Sequence, residues 1–192
     1  MPIMTRDING SEWLQTIDGR AFFVLDPESD DVDIDVIAHA LSLQCRFNGH
    51  VSRFYSVAEH SCLVSEILES WSEPHEIQLV GLLHDASEAY LGDVIRPVKA
   101  VLPRYRELEK RVEQAIATRF DLPFPWPSAI KSADLMALAI EKRDLLKPSP
   151  RPWASLPSIP SSATWHAHGW CWEKARDMFL DRHRVLSAWR AA

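Results

Sequence analysis

Glycine is scarce in this chain of 192 residues. Its six glycines stand at positions 10, 19, 49, 81, 92 and 169, so neither GxGxxG nor GxxxxGK[ST] can be written anywhere. A Rossmann dinucleotide site and a P-loop are thereby excluded. Cysteine is scarcer still: Cys45, Cys62 and Cys171 are too few and too scattered for a disulfide framework or a thiolate metal site, and they read as reduced and buried. No apolar run approaches the ~18 residues of a membrane span, and the start, Met1-Pro-Ile-Met-Thr-Arg-Asp, lacks the apolar core of a signal peptide. The expectation is a soluble, cytoplasmic protein without a membrane partner, in which Asn9-Gly10-Ser11 matches a glycosylation acceptor by chance. A basic excess is lacking too, with 27 acidic against 21 basic side chains and a net charge of −6. Phosphate-backbone affinity comes from clustered Lys and Arg, so no stable nucleic-acid partner is expected. Any anionic ligand must meet a local concentration of positive charge.

What is present is a hydrophobic share of 46%, which in a chain of this size suits one domain. A domain of roughly 150 to 200 residues buries about 70% of its unfolded surface, so it needs no staple to fold. Asp18-Gly19 is a hairpin turn signal flanked by β-branched and aromatic residues, and predicts a small hairpin over about 12–25. Everything after it reads as helix, giving an all-α fold class. Asp33 or Asp35 caps a helix carrying Val36, Ile37, Ala40, Leu41 and Leu43. Ser56-Val57-Ala58-Glu59 has the form of a capping box and starts a helix from about Val57 to Ser70, with His60 in its first turn. After Pro74 comes a run too apolar for a surface helix, Ile77 to Ala89, read as a buried central helix ending near Gly92. Pro103 starts a long amphipathic helix, and Pro123-Phe-Pro-Trp-Pro127 breaks the chain before another, about Ser128 to Leu146. The helical core thus spans about 33–146.

Five of the 13 prolines fall between Pro148 and Pro160, so residues 147–165 read as an extended strap. An SH3-type ligand is one reading of it. The preferred one is a strap packed over the domain, because a last amphipathic helix follows at about 171–190 and Trp153, Trp165, Trp170 and Trp172 offer packing anchors.

The segment Gly81-Leu-Leu-His84-Asp85-Ala-Ser-Glu88-Ala-Tyr-Leu-Gly92-Asp93 places two adjacent polar residues inside an apolar helix, where an unpaired charge is costly. Glu88 follows one turn along on the same side. A lone buried His-Asp pair is ordinarily structural. Here His60 opens the preceding helix, and Asp134 interrupts the apolar face of a later one. Two imidazoles and two carboxylates from three helices suit one divalent cation of the Zn, Mn, Co or Fe type, with positions left for water and substrate.

The order His60, His84-Asp85, Asp134, joined by HDxSE and a following Gly-Asp, resembles the H…HD…D pattern of the HD-domain metal-dependent phosphohydrolases. The stretches Ser56–Ser61 and His84–Asp93 are similar to the branch of bacterial 5′-deoxynucleotidases and phage-type deoxyadenosine triphosphohydrolases. The resemblance covers about residues 20–146. It implies an HD-domain helical bundle in which His60, His84, Asp85 and Asp134 bind the metal, while Glu88 and Asp93 handle the protons of the attacking water and the leaving oxygen. Arg46-Phe47 resembles the arginine-aromatic step that deoxynucleotidases place near phosphate and base, with Phe where Trp is usual. Its alternative is a helix-terminal cation.

Arg96, Lys99 and Lys131 lie close in sequence to Asp93 or Asp134 and are the cations assigned to phosphate oxygens, with Arg53 as a further candidate. His39 and His50 are candidates for an extra ligand or acid. The only histidine between His60 and His84 is His75, so the site is read as mononuclear, with Mg on the substrate phosphates a further expectation. The cation count favours a dATP-like triphosphohydrolase over a 5′-deoxynucleotidase acting on monophosphates. A non-catalytic nucleotide-binding scaffold and an adaptor displaying the strap are the rivals of other classes. A homodimer or higher homo-oligomer is expected from the family and the Trp-rich last helix.

Overall fold

The computed structural model describes residues 12–153 and 156–188. The glycosylation-like Asn9-Gly10-Ser11 and the end of the expected last helix lie outside these residues. The hairpin pairs β1 (Leu14–Gln15) with β2 (Ala21–Phe22) antiparallel, Leu14 opposite Phe22 and Gln15 opposite Ala21. Phe22 is fully buried and stacks on Tyr90, their ring centres 3.8 Å apart, which fastens the hairpin to the helical body.

Eight α-helical segments follow among the described residues: α1 (Ile34–Leu43), α2 (Val57–Ser70), α3 (His75–Leu83), α4 (Glu88–Leu91), α5 (Arg96–Lys99), α6 (Pro103–Arg119), α7 (Ser128–Leu145) and α8 (Trp172–Ala188). Their ends follow from local chemistry. Asp33 caps α1 by accepting the N–H groups of Asp35 and Val36, and Ser56 Oγ caps α2 by accepting the N–H of Glu59 at 3.1 Å. Helix α2 is the axis of the core. It packs against α3, α7 and α8, and its residues from Val57 to Ser65 are buried without interruption. Gly81 lets α3 lie close on α2, since a Cβ there would stand 2.3 Å from Leu68 Cδ1. That close approach brings the end of α3 alongside the start of α2.

Three expectations need correction. The central helix does not run on to Gly92 but ends at Leu83, and residues 84–87 tighten into turns. There the N–H groups of Ala86, Glu88 and Tyr90 bind the carbonyls three residues back, of Leu83, Asp85 and Ser87. With about three residues per turn, side chains at i and i+3 eclipse, so Asp85 and Glu88 face the same way. The capping box is half formed: Glu59 does not reach back to Ser56 but accepts the N–H groups of His168, Gly169 and Trp170 at 2.7, 2.9 and 2.7 Å. Finally, Cys62 is buried as expected, whereas Cys45 is half-buried and Cys171 exposed. Among the described residues, no helix is long and apolar enough to cross a membrane.

Candidate metal centre and substrate cavity

His60, in the first turn of α2, and His84, just beyond α3, face each other with ring centres 5.3 Å apart. Each imidazole is fixed through Nδ1. His60 Nδ1 donates to Glu141 Oε1 at 2.6 Å, and His84 Nδ1 donates to the Gly81 carbonyl at 2.7 Å. In the neutral ring with its proton on Nδ1, each Nε2 offers a lone pair to a cation, and both Nε2 atoms are buried without a hydrogen bond. Asp85 Oδ2 stands 3.4 Å from His60 Nε2 and 3.3 Å from His84 Nε2, and Asp134 Oδ1 stands 3.4 Å from His60 Nε2. Donors around an ion bound at ~2.0–2.2 Å are separated by roughly 3–3.5 Å. Single donor atoms of His60, His84 and Asp134 all lie within 4.8 Å of one another. The residues present therefore fit a divalent cation, and their mixed nitrogen and oxygen chemistry suits a transition-type ion.

The electrostatics agree. Burial works against a charged imidazole, yet the Asp85 carboxylate raises His84 to about 9, and Glu141 with Asp134 raises His60 despite its burial and the nearby Arg46. Burial also works against ionised carboxylates, but the imidazoles hold Asp134 down at about 2 and, together with Arg46, hold Asp85 well below the usual range. Both directions mean that the cluster favours positive charge at its centre.

Glu88 is 4% exposed; its Oε1 lies 3.3 Å from Lys99 Nζ, and its Oε2 is buried without a partner. Burial, then the charges of Asp85 and Asp93, push its carboxyl well above the usual range against the opposing Lys99. Such a carboxyl is suited to taking up a proton. Gln44 bridges the backbone around both expected acid–base residues, donating to the Glu88 carbonyl at 2.9 Å and accepting the Asp93 N–H at 3.1 Å.

The cluster opens into a cavity of about 450 Å³ whose lining includes Arg46, Phe47, Asp85, Glu88, Asp93, Arg96, Lys99 and Asp134. Arg46 is no helix-terminal surface cation. It is largely buried, with Nη1 3.5 Å from Asp85 and Nη2 3.2 Å from Glu141. Arg96 reaches Asp134 at 3.2 Å, and Lys99 sits between Glu88 and Glu109. Lys131 is not brought to the cavity: it is exposed in the first turn of α7, where the helix has left the cavity wall. Arg53 turns elsewhere and donates to the carbonyls of Ala167 and His168. His39 packs edge-on against Trp172, and His50 is exposed; neither lines the cavity.

Sequence reasoning missed Glu141 and Gln44. Glu141 is fully buried, and Arg46 and His60 hold its carboxyl low although burial pushes it up. It stands seven residues after Asp134, two turns along α7 on the same face, directly after the apolar run from Leu135 to Ile140. A carboxylate at that spacing from Asp134 was the available signal.

A helical bundle in which His60, the His84-Asp85 pair and Asp134 converge on one point defines the HD class of metal-dependent phosphohydrolases, and the chain is an enzyme of that class. Within it, residues 46–143 match the profile of the family described as 5′-deoxynucleotidase YfbR-like, and the chain belongs to that family. It is 36% identical over 178 residues, 93% of its length and 97% of the relative's, to the Uncharacterized protein YfdR of Escherichia coli (strain K12). To an uncharacterized protein of Rhodobacter capsulatus it is 39% identical over 148 residues, 69% of this chain and 72% of the relative.

Proposed function

We propose that this enzyme is a 5′-deoxynucleotidase that releases orthophosphate from deoxynucleoside monophosphates, using one divalent ion of the Zn, Mn, Co or Fe type. The observation that carries this reading is the charge balance of the cavity. Its lining holds three cations, Arg46, Arg96 and Lys99, against four carboxylates, Asp85, Glu88, Asp93 and Asp134. With Glu88 ionised, as its role as base requires, one divalent ion turns that excess of one negative charge into one positive charge. A phosphate monoester carries about −1.5 to −2 at neutral pH, which this suits better than the roughly doubled charge of a triphosphate.

His60, His84, Asp85 and Asp134 would hold the ion, which when bound would supply Lewis acidity to the phosphoryl group. Glu88 accepts a proton from the water that attacks phosphorus. Asp93, which lines the same cavity, is assigned the transfer of a proton to the leaving 5′-oxygen as the P–O bond breaks. Arg46, Arg96 and Lys99 neutralise the phosphoryl oxygens, their present carboxylate partners yielding to the substrate. Glu141 and Gln44 position: the first fixes the His60 ring, the second the backbone of Glu88 and Asp93.

A second reading, a dNTP triphosphohydrolase releasing whole triphosphate, draws on the rim of the cavity, where the Arg96 side chain is 70% exposed and leaves room for a longer tail. Incubation with dAMP and with dATP in the presence of Mn or Co, followed by separation of orthophosphate from tripolyphosphate, distinguishes the two. Orthophosphate from dAMP is expected. Tripolyphosphate from dATP with dAMP untouched overturns the monophosphate reading.

A further inference from the structure

The cavity has two unlike halves. One carries the carboxylates and cations already described. The other is apolar: Leu135 and Leu138 of α7, Phe47, and two residues of the proline-rich strap, Trp153 and Leu156. The strap lies beyond the stretch that matches the family, residues 46–143, yet it closes this side of the cavity.

Trp153 does not do what its neighbours do. Trp165 and Trp170 pack against the hydrophobic core. Trp153 keeps 36% of its surface exposed and turns toward Phe47. A planar base held between two rings needs roughly 7 Å, twice the ~3.4 Å stacking distance of a nucleic acid. Phe47 and Trp153 stand with centres 6.5 Å apart and planes tilted by 52°, so a parallel slot requires rotation of the half-exposed indole together with a small outward shift of that ring.

Both rings are held in place by unusual backbone. Phe47 has φ 56 and Asn48 φ 50, a left-handed conformation that is strained for an aromatic residue and is kept where the surroundings over-determine it. It places the Phe47 ring 5.5 Å from the buried Arg46 guanidinium. On the other side, Pro148, Pro150 and Pro152 alternate up to Trp153, and their fixed φ limits the freedom lost when the indole is presented. Lys142 Nζ lies 5.6 Å from the indole centre and restrains it further.

We propose that the strap supplies Trp153 as a stacking platform which, with Phe47, holds the nucleobase of the substrate. The subsite rests on the deoxynucleotidase reading and deepens it. Stacking is indifferent to base identity because every base has a π-face. Phe47, Leu135, Leu138 and Leu156 offer no side-chain hydrogen bond to a base edge. The subsite therefore discriminates against phosphate esters without a base.

The test compares kcat/KM of wild type, Trp153→Ala and Trp153→Phe for dAMP, dTMP and 2-deoxyribose 5-phosphate, with Mn or Co present. The preference for dAMP over 2-deoxyribose 5-phosphate is a ratio, so it is independent of the fraction of active protein. It is expected to fall by about 10- to 100-fold in Trp153→Ala and to stay within about threefold of wild type in Trp153→Phe. An active wild type whose preference survives in Trp153→Ala overturns the subsite alone. So does a parallel loss of all three activities, which marks Trp153 as structural. A wild type that hydrolyses none of the three esters overturns the proposed function, and the subsite falls with it.

Discussion

The helices that carry the charged cluster and the segment that joins α7 to α8 hold their shape by opposite means. In α2, α3 and α7, apolar side chains fill the interior, and the backbone is satisfied within each helix. Between residues 146 and 171 no helix or strand forms among the described residues, and the backbone groups of Trp165, Ala167, His168, Gly169 and Trp170 bond to side chains from elsewhere. Glu59 takes three successive N–H groups at His168, Gly169 and Trp170. Arg53 takes the carbonyls of Ala167 and His168, while Arg143 takes that of Trp165 and Asp144 the N–H of Ala167. Gly169 is required here: its φ is 75, and a Cβ would stand 2.8 Å from the Phe54 carbonyl oxygen. The two regions meet on one turn of α2, where Glu59 holds the segment and its neighbour His60 holds the cluster. A buried carboxylate serves as anchor in both, Glu59 for backbone and Glu141 for an imidazole.

If the two regions are built independently, each can be broken without the other. The largest effect is expected from the cluster itself. His84→Ala and Asp134→Ala lose both bound metal and turnover while keeping their helical content, as metal analysis, assay and circular dichroism will show. Glu88→Gln retains the metal and loses roughly 10²- to 10⁴-fold in kcat, the usual range for removing a positioned acid–base group. Glu141→Gln weakens metal affinity by about 10- to 100-fold, the scale seen when the carboxylate behind a ligating histidine is replaced. Its competition titration against a chelator will show this shift while saturating metal restores most of the rate. Glu59→Gln is the mildest and falls on the other region. Weakening hydrogen bonds to a buried charge lowers stability by about 1.5–3 kcal/mol in denaturant unfolding and speeds proteolysis near His168, with metal content unchanged. Loss of metal in Glu59→Gln would show that clamp and cluster are one unit.

This division also decides what could be read from the residues. Metal-centre candidates were legible because their spacing is local or helical: His60 behind a Ser56 cap, His84 beside Asp85, and Asp134 on an apolar face. The hairpin at Asp18-Gly19 and the helix from Val57 to Ser70 were legible for the same reason. Less legible were contacts made across the fold. Glu59 looks like the reciprocal half of a capping box, and nothing in sequence says that Gly169 will bring three N–H groups to it. The tightening at residues 84–87, which aligns Asp85 with Glu88, depends on how α3 meets the end of the cavity. Lys131 is one turn from Asp134, but the next residues of α7 to line the cavity are Leu135 and Leu138, on its C-terminal side. Trp153 reads as one packing anchor among four, and only the position of Phe47 separates it from Trp165 and Trp170.

The most direct test of the account is a metal titration of chelator-stripped protein with Mn or Co, followed by phosphate release from dAMP at each step. Activity is expected to be absent at the start, to rise in proportion to bound metal, and to saturate at about one ion per chain. Full activity in the stripped protein, or saturation only at two ions, would contradict a single cation held by His60, His84, Asp85 and Asp134.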